Sequence, residues 1–130
     1  MARVMLGNNK IVAFIATTDG SRARAFYEGV LGLGFVSDNE FATVFDANGV
    51  ELRVQKVQEL IPHSHTQIGW TVPSIEHIVG ALQSKGVKCE FYPFLQQDVL
   101  GIWMSPAGAK VAWFKDPDGN IISLTEPPGK

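Results

Sequence analysis

Ile11-Val12-Ala13-Phe14-Ile15-Ala16-Thr17, then Thr18-Asp19-Gly20-Ser21, then Ala23, Phe26, Tyr27, Val30 and Leu31 at helical spacing, is the stretch from which the fold can be read. The opening run is apolar and β-favouring, short for a helix, and followed by polar turn residues, which predicts a strand. Asp19 or Ser21 can accept hydrogen bonds from the free amides of a first helical turn, and the apolar residues behind them mark one buried helix face. Gly32 and Gly34 end that helix. Phe35-Val36, Phe41 to Phe45 and Val50 to Val57 then read as three strands, with Asp46-Ala47-Asn48-Gly49 supplying hairpin chemistry between the last two.

After a loop containing Pro62-His63-Ser64-His65 the pattern begins again. Gln67 to Val72 predicts a strand, Pro73-Ser74 breaks it and caps a helix, and Ile75, Ile78, Val79 and Leu82 repeat the helical spacing up to Gly86. Val87 to Tyr92, Lys110 to Phe114 and Ile121 to Glu126 read as strands, with a long loop between the first two and the turn Asp116-Pro117-Asp118-Gly119 between the last two. The order strand, helix, three strands has occurred twice. Each copy leaves an apolar sheet face that its helix only partly covers, so the expected class is α+β: two βαβββ modules forming one curved, incompletely closed eight-stranded mixed sheet. The helices would lie on its convex side and a cleft on its concave side.

A chain of 130 residues is the size of one domain, here one built from two repeats, roughly 10–58 and 66–127. No apolar run approaches the roughly 20 residues that span a bilayer. Met1 to Lys10 lacks the continuous apolar stretch of a signal peptide, which makes a cytoplasmic location the expectation. A single cysteine, Cys89, excludes an internal disulfide and a cysteine-rich zinc cluster. Net charge is −2, with Lys and Arg scattered, so no electrostatic footprint for nucleic acid or an anionic membrane is present and a small-molecule partner is favoured.

Side chains alternate across a strand. In the fourth strand Val50, Leu52 and Val54 form the apolar set, which leaves Glu51, Arg53 and Gln55 on the opposite face. In the fifth, Ile68, Trp70 and Val72 pack inward and Gln67, Gly69 and Thr71 face the other way. In the last, Ile122 and Leu124 leave Ile121, Ser123 and Thr125. Val12, Phe14 and Ala16 of the first strand follow by analogy. The assignment holds for strands without a bulge. Glu51 and Arg53, two residues apart on one face, are expected to pair with each other or with Gln55 and Gln67.

Asp19 through Phe26-Tyr27 to Leu31-Gly32-Leu33-Gly34-Phe35, together with Phe114-Lys115-Asp116-Pro117-Asp118-Gly119-Asn120, resembles the two signature stretches of the vicinal oxygen chelate superfamily, the glyoxalase, bleomycin-resistance and dioxygenase fold. Gly101-Ile102-Trp103 and Gly108 to Phe114 further resemble a branch of small bacterial proteins within it. The resemblance implies a divalent cation held by four side chains, from the first, fourth, fifth and eighth strands. Here those positions are Val12, Glu51, Gln67 and Ser123. Glu51 is an ordinary ligand and Gln67 a neutral, weaker one; valine cannot coordinate, and a serine hydroxyl stays protonated and donates poorly. No metal and no other cofactor is therefore expected. His65, two residues before Gln67, or its neighbour His63 could rescue the site, although His63-Ser64-His65 beside a proline reads more readily as a connecting loop.

Cys89 reads as a small buried hydrophobe, His77 as a surface residue of the second helix, and Asp116 and Asp118 as turn formers. The segment from Tyr92 to Gly108 is long for a loop and carries Tyr92, Phe94, Leu95, Leu100, Trp103 and Met104. These either line the mouth of the cleft or meet a second subunit. Trp113 and Phe114 point to opposite faces, and one of them should enter the cleft.

The leading functional expectation is a metal-free binding protein for a partly apolar or aromatic small molecule, as the drug-sequestering members of the family are. Phe14, Glu51, Arg53, Gln55, Gln67, Trp103 and Ser123 are its candidate ligand contacts. The competing reading is a metal-dependent lyase, isomerase or dioxygenase in which Glu51 serves as ligand or base. The family resemblance and the open sheet edges also imply a homodimer.

Overall fold

The computed structural model of the protein describes residues 5–129. The chain divides into two compact units, residues 1–60 and 61–130, and each carries one module. The eight strands form two hydrogen-bonded sheets of four, one per unit, ordered β1-β4-β3-β2 and β5-β8-β7-β6. The α+β class and the two βαβββ modules are thus as the sequence predicts, and neither sheet is closed.

In the first unit β1 (Val12–Thr17) leads to α1 (Gly20–Arg24), whose first turn is capped by Asp19 accepting from the Arg22 amide at 3.1 Å. The helix then widens into a π-helical segment, Ala25–Val30, that carries Phe26 and Tyr27 side by side into the core. Gly32, at φ +78°, turns the chain out of it. The strands β2 (Gly34–Asp38), β3 (Ala42–Ala47) and β4 (Val50–Lys56) follow. Asn48 and Gly49 both have positive φ, which is the geometry of a tight hairpin between β3 and β4. Tyr27 packs on Phe45 with ring centroids 6.0 Å apart, and Ile15, Leu52 and Val54 complete a core in which each is at most 5% exposed.

In the second unit β5 (Thr66–Thr71) leads to α2 (Ile75–Ser84), capped by Ser74, with Glu126 also accepting from the Ile75 amide at 2.9 Å. Gly86, at φ +84°, ends the helix. β7 (Lys110–Lys115) and β8 (Ile121–Glu126) bury Ala112, Phe114, Ile122 and Leu124 together with Ile75, Val79 and Leu82. Asp116 builds the intervening turn by accepting from the amides of Asp118 and Asn120, as expected of a turn former.

One expected strand is absent. Val87 to Tyr92 forms no strand, and the edge position beside β7 is taken by β6, Trp103–Met104, from within the long loop. The cause is Gln97. Its side chain accepts from the Tyr92 amide and donates to the carbonyls of Glu90 and Gly101, each at 2.8 Å, so these backbone groups are satisfied without a neighbouring strand. Asp98 accepts from the amides of Leu100 and Ile102. The loop is therefore internally braced. No described helix is long and apolar enough to cross a membrane.

Candidate functional site

The parallel pairing of β1 with β4 sets Val12 beside Glu51, Phe14 beside Arg53 and Ala16 beside Gln55. Partners in register share a face, so the analogy made for the first strand holds. β3 adds Asp46, Val44 and Ala42 opposite the same three β4 residues. This face is the one turned away from Tyr27 and the helix. On it Arg53 donates to Glu51 at 3.1 Å, with the two side chains 36% and 43% exposed. Phe14 is 58% exposed beside them. Val12, Val36, Val44, Asp46 and Glu51 line a neighbouring cavity of about 250 Å³. Asp46 and Val44 were not singled out from sequence as site residues; their register opposite Glu51 and Arg53 puts them on this face, where Val44 is itself buried.

On the second sheet Trp113 lies opposite Ser123, and Ser123 lies beside Gly69. Phe114 is 1% exposed on the opposite face, packed with the helix side of the sheet. Trp113 is thus the member of the pair on the open face. Trp103 stacks toward it at 6.1 Å and Tyr92 meets it edge-on at 5.6 Å. Any side chain at position 69 would collide with Ser123 Oγ, so the glycine is what gives the hydroxyl its space. Gln67 departs from the expected alternation. The β5–β8 register shifts between Thr66 and Ile68, which makes Gln67 the extra residue of a bulge, and its amide donates to the His65 carbonyl at 3.4 Å.

The family's divalent cation is poorly matched by these residues. Val12, beside Glu51, has no donor atom, and the Glu51 carboxylate already faces the Arg53 guanidinium. Gln67 and Ser123 offer a neutral amide and a neutral hydroxyl. Among the described residues no three His, Cys, Asp or Glu gather in a cluster able to hold an ion. His65 sits beside His63, ring on ring at 5.0 Å, with its Nδ1 3.2 Å from the Thr66 carbonyl. Cys89 is buried, and burial first, then the charges of Asp98 and Glu90, push its thiol up to about 11. A thiol so placed is a packing residue.

The chain matches the family model described as Glyoxalase/Bleomycin resistance protein/Dioxygenase superfamily over residues 9–124. Its fold is similar to that of a member of this superfamily from Sphaerobacter thermophilus, at TM-score 0.71 and 23% identity, covering 91% of this chain and 96% of that one. It is also similar to lactoylglutathione lyase from Agrobacterium tumefaciens, at TM-score 0.71 and 18% identity, with 91% and 93% of the two chains covered. A third likeness is to the fosfomycin resistance protein FosX from Listeria monocytogenes, at TM-score 0.72 and 12% identity, with 92% and 93% covered. At these identities the likeness extends to the fold. No match was found among curated proteins.

Proposed function

The chain belongs to the glyoxalase, bleomycin resistance protein and dioxygenase superfamily, and from that premise we propose that it binds a small molecule without the aid of a metal ion. The ligand has a partly apolar or aromatic body and an acidic or carbonyl group, and the role is sequestration of a drug or metabolite. The observation that carries this reading is the Phe14–Arg53 neighbourhood on the open face of the first sheet, with Glu51 3.1 Å from the guanidinium. A planar fork of donors beside an exposed phenyl ring suits a carboxylate joined to an apolar ring. Gln55, beside Arg53 on the same face, is a further donor and acceptor. Trp103 and Ser123 offer an aromatic surface and a hydroxyl on the open face of the second sheet. Gln67, in its bulge, is the least regular of the candidate contacts.

The reading is tested by screening aromatic acids against the wild type and Arg53→Met, which keeps the aliphatic packing and removes the charge. Tryptophan fluorescence serves for the screen and calorimetry with benzoate for the constants. Loss of a charge-assisted hydrogen bond predicts an affinity roughly tenfold or more lower in the variant. Equal binding of the anionic hits to both proteins would remove Arg53 from the site and with it this function.

A further inference from the structure

A second cavity lies wholly within the second unit and involves none of Phe14, Glu51 or Arg53. Its volume is about 220 Å³, and Tyr92, Phe94, Leu95, Trp113 and Ile121 give it an aromatic and aliphatic wall, with Ser64, His65 and Thr66 as its polar lining. Three of the wall residues already form a ring assembly: Tyr92 meets Trp113 edge-on at 5.6 Å and lies 5.7 Å from Phe94. Phe94 is nevertheless 80% exposed. A phenyl ring braced on a neighbour yet open to water on its other side is a surface onto which another ring can stack. A void of about 150 Å³ holds benzene, so this one suits a substituted ring or a fused pair of rings.

His65 decides which ring. Its Nδ1 is 3.2 Å from the Thr66 carbonyl oxygen, and a carbonyl oxygen only accepts, so in that contact Nδ1 carries the proton. In the neutral imidazole Nε2 is then a lone-pair acceptor. His63 stacks on the same ring at 5.0 Å and 15°, which holds its plane. We propose that this cavity binds a one- or two-ring aromatic molecule carrying an O–H or N–H donor, its ring against Tyr92, Phe94 and Trp113 and its donor on His65 Nε2. The proposal goes beyond the anion-binding role given to Arg53 and does not depend on it.

Indole and benzofuran form the deciding pair of probes, because they have the same shape and only indole carries an N–H. Calorimetry and saturation-transfer NMR on the full chain are expected to show indole binding more tightly than benzofuran. His65→Phe, which keeps a ring in the stack and removes the acceptor, should weaken indole roughly fivefold, the worth of one neutral hydrogen bond, and leave benzofuran unchanged. Phe94→Ala, at a position too exposed to disturb folding, should weaken both. Arg53→Met should leave indole binding as it is while reducing benzoate binding. Equal affinity for the two probes, no binding of indole by the wild type, or indifference to both His65→Phe and Phe94→Ala each overturns the proposal. Loss of indole binding in Arg53→Met also overturns it, by placing indole in the benzoate site.

Discussion

A guanidinium that shares its strand face with a carboxylate must give up one partner to take another, so Glu51 competes with any anion for Arg53. The pair stands at 3.1 Å with side chains 36% and 43% exposed, and an ion pair this open to water contributes about 0–1 kcal/mol. Glu51→Gln should therefore leave stability nearly unchanged while freeing Arg53. Benzoate affinity is expected to rise by up to about fivefold, the equivalent of roughly 1 kcal/mol. A metal-dependent enzyme behaves in the opposite way, since removing its one anionic ligand strips both ion and activity. Calorimetry with benzoate and elemental analysis on the same two preparations separate these outcomes. Near-stoichiometric metal in the wild type that is lost in Glu51→Gln would sink the metal-free reading.

Elements were legible wherever their signals are local. Asp19 and Ser74 cap, Gly32 and Gly86 terminate, and Asn48-Gly49 turns, because each acts on backbone groups within a few residues of itself. The face of β4 was legible too, since its pairing with β1 and β3 runs without a register shift. Alternation could not foresee the bulge at Gln67, which depends on how β5 meets β8, nor choose between Trp113 and Phe114, which are both aromatic. The strand expected at Val87 to Tyr92 is reduced to one backbone bond to β7, from the Glu90 amide to the Trp113 carbonyl, and the reason lies in a side chain: Gln97 takes the Glu90 carbonyl and the Tyr92 amide, and ties both to the Gly101 carbonyl. Gln97→Ala should accordingly cost about 1–3 kcal/mol, the penalty for stranding part-buried backbone groups. Gln97→Glu is the sharper variant, because a carboxylate can still accept from the Tyr92 amide but sets negative charge against the carbonyls of Glu90 and Gly101. Urea denaturation should find both variants destabilised, with faster hydrogen exchange at Tyr92. Wild-type stability in Gln97→Glu would show that the amide donor contributes nothing.

At the scale of the whole molecule the open sheets set the remaining question, which is what meets their edges. The edges are β1 and β2 in the first sheet and β5 and β6 in the second. Three of the four carry features that discourage pairing with another chain: β2 and β5 have register shifts at Val36 and Gln67, and β6 is only Trp103–Met104. β1 has none. Its first half is regular and exposed, with the preceding Ile11 at 74%, Val12 at 38% and Phe14 at 58%. A regular edge with exposed apolar residues invites a second copy of the same strand, and a two-fold axis satisfies both copies at once. We accordingly propose a homodimer that covers β1. Sedimentation velocity at micromolar concentration should give one species at twice the 14.2 kDa chain mass. Val12→Lys, which sets a charge on that edge where natural edges often carry one, should shift the species toward monomer. A wild type that sediments as a monomer removes the dimer, and a dimer that persists in Val12→Lys removes β1 from its interface.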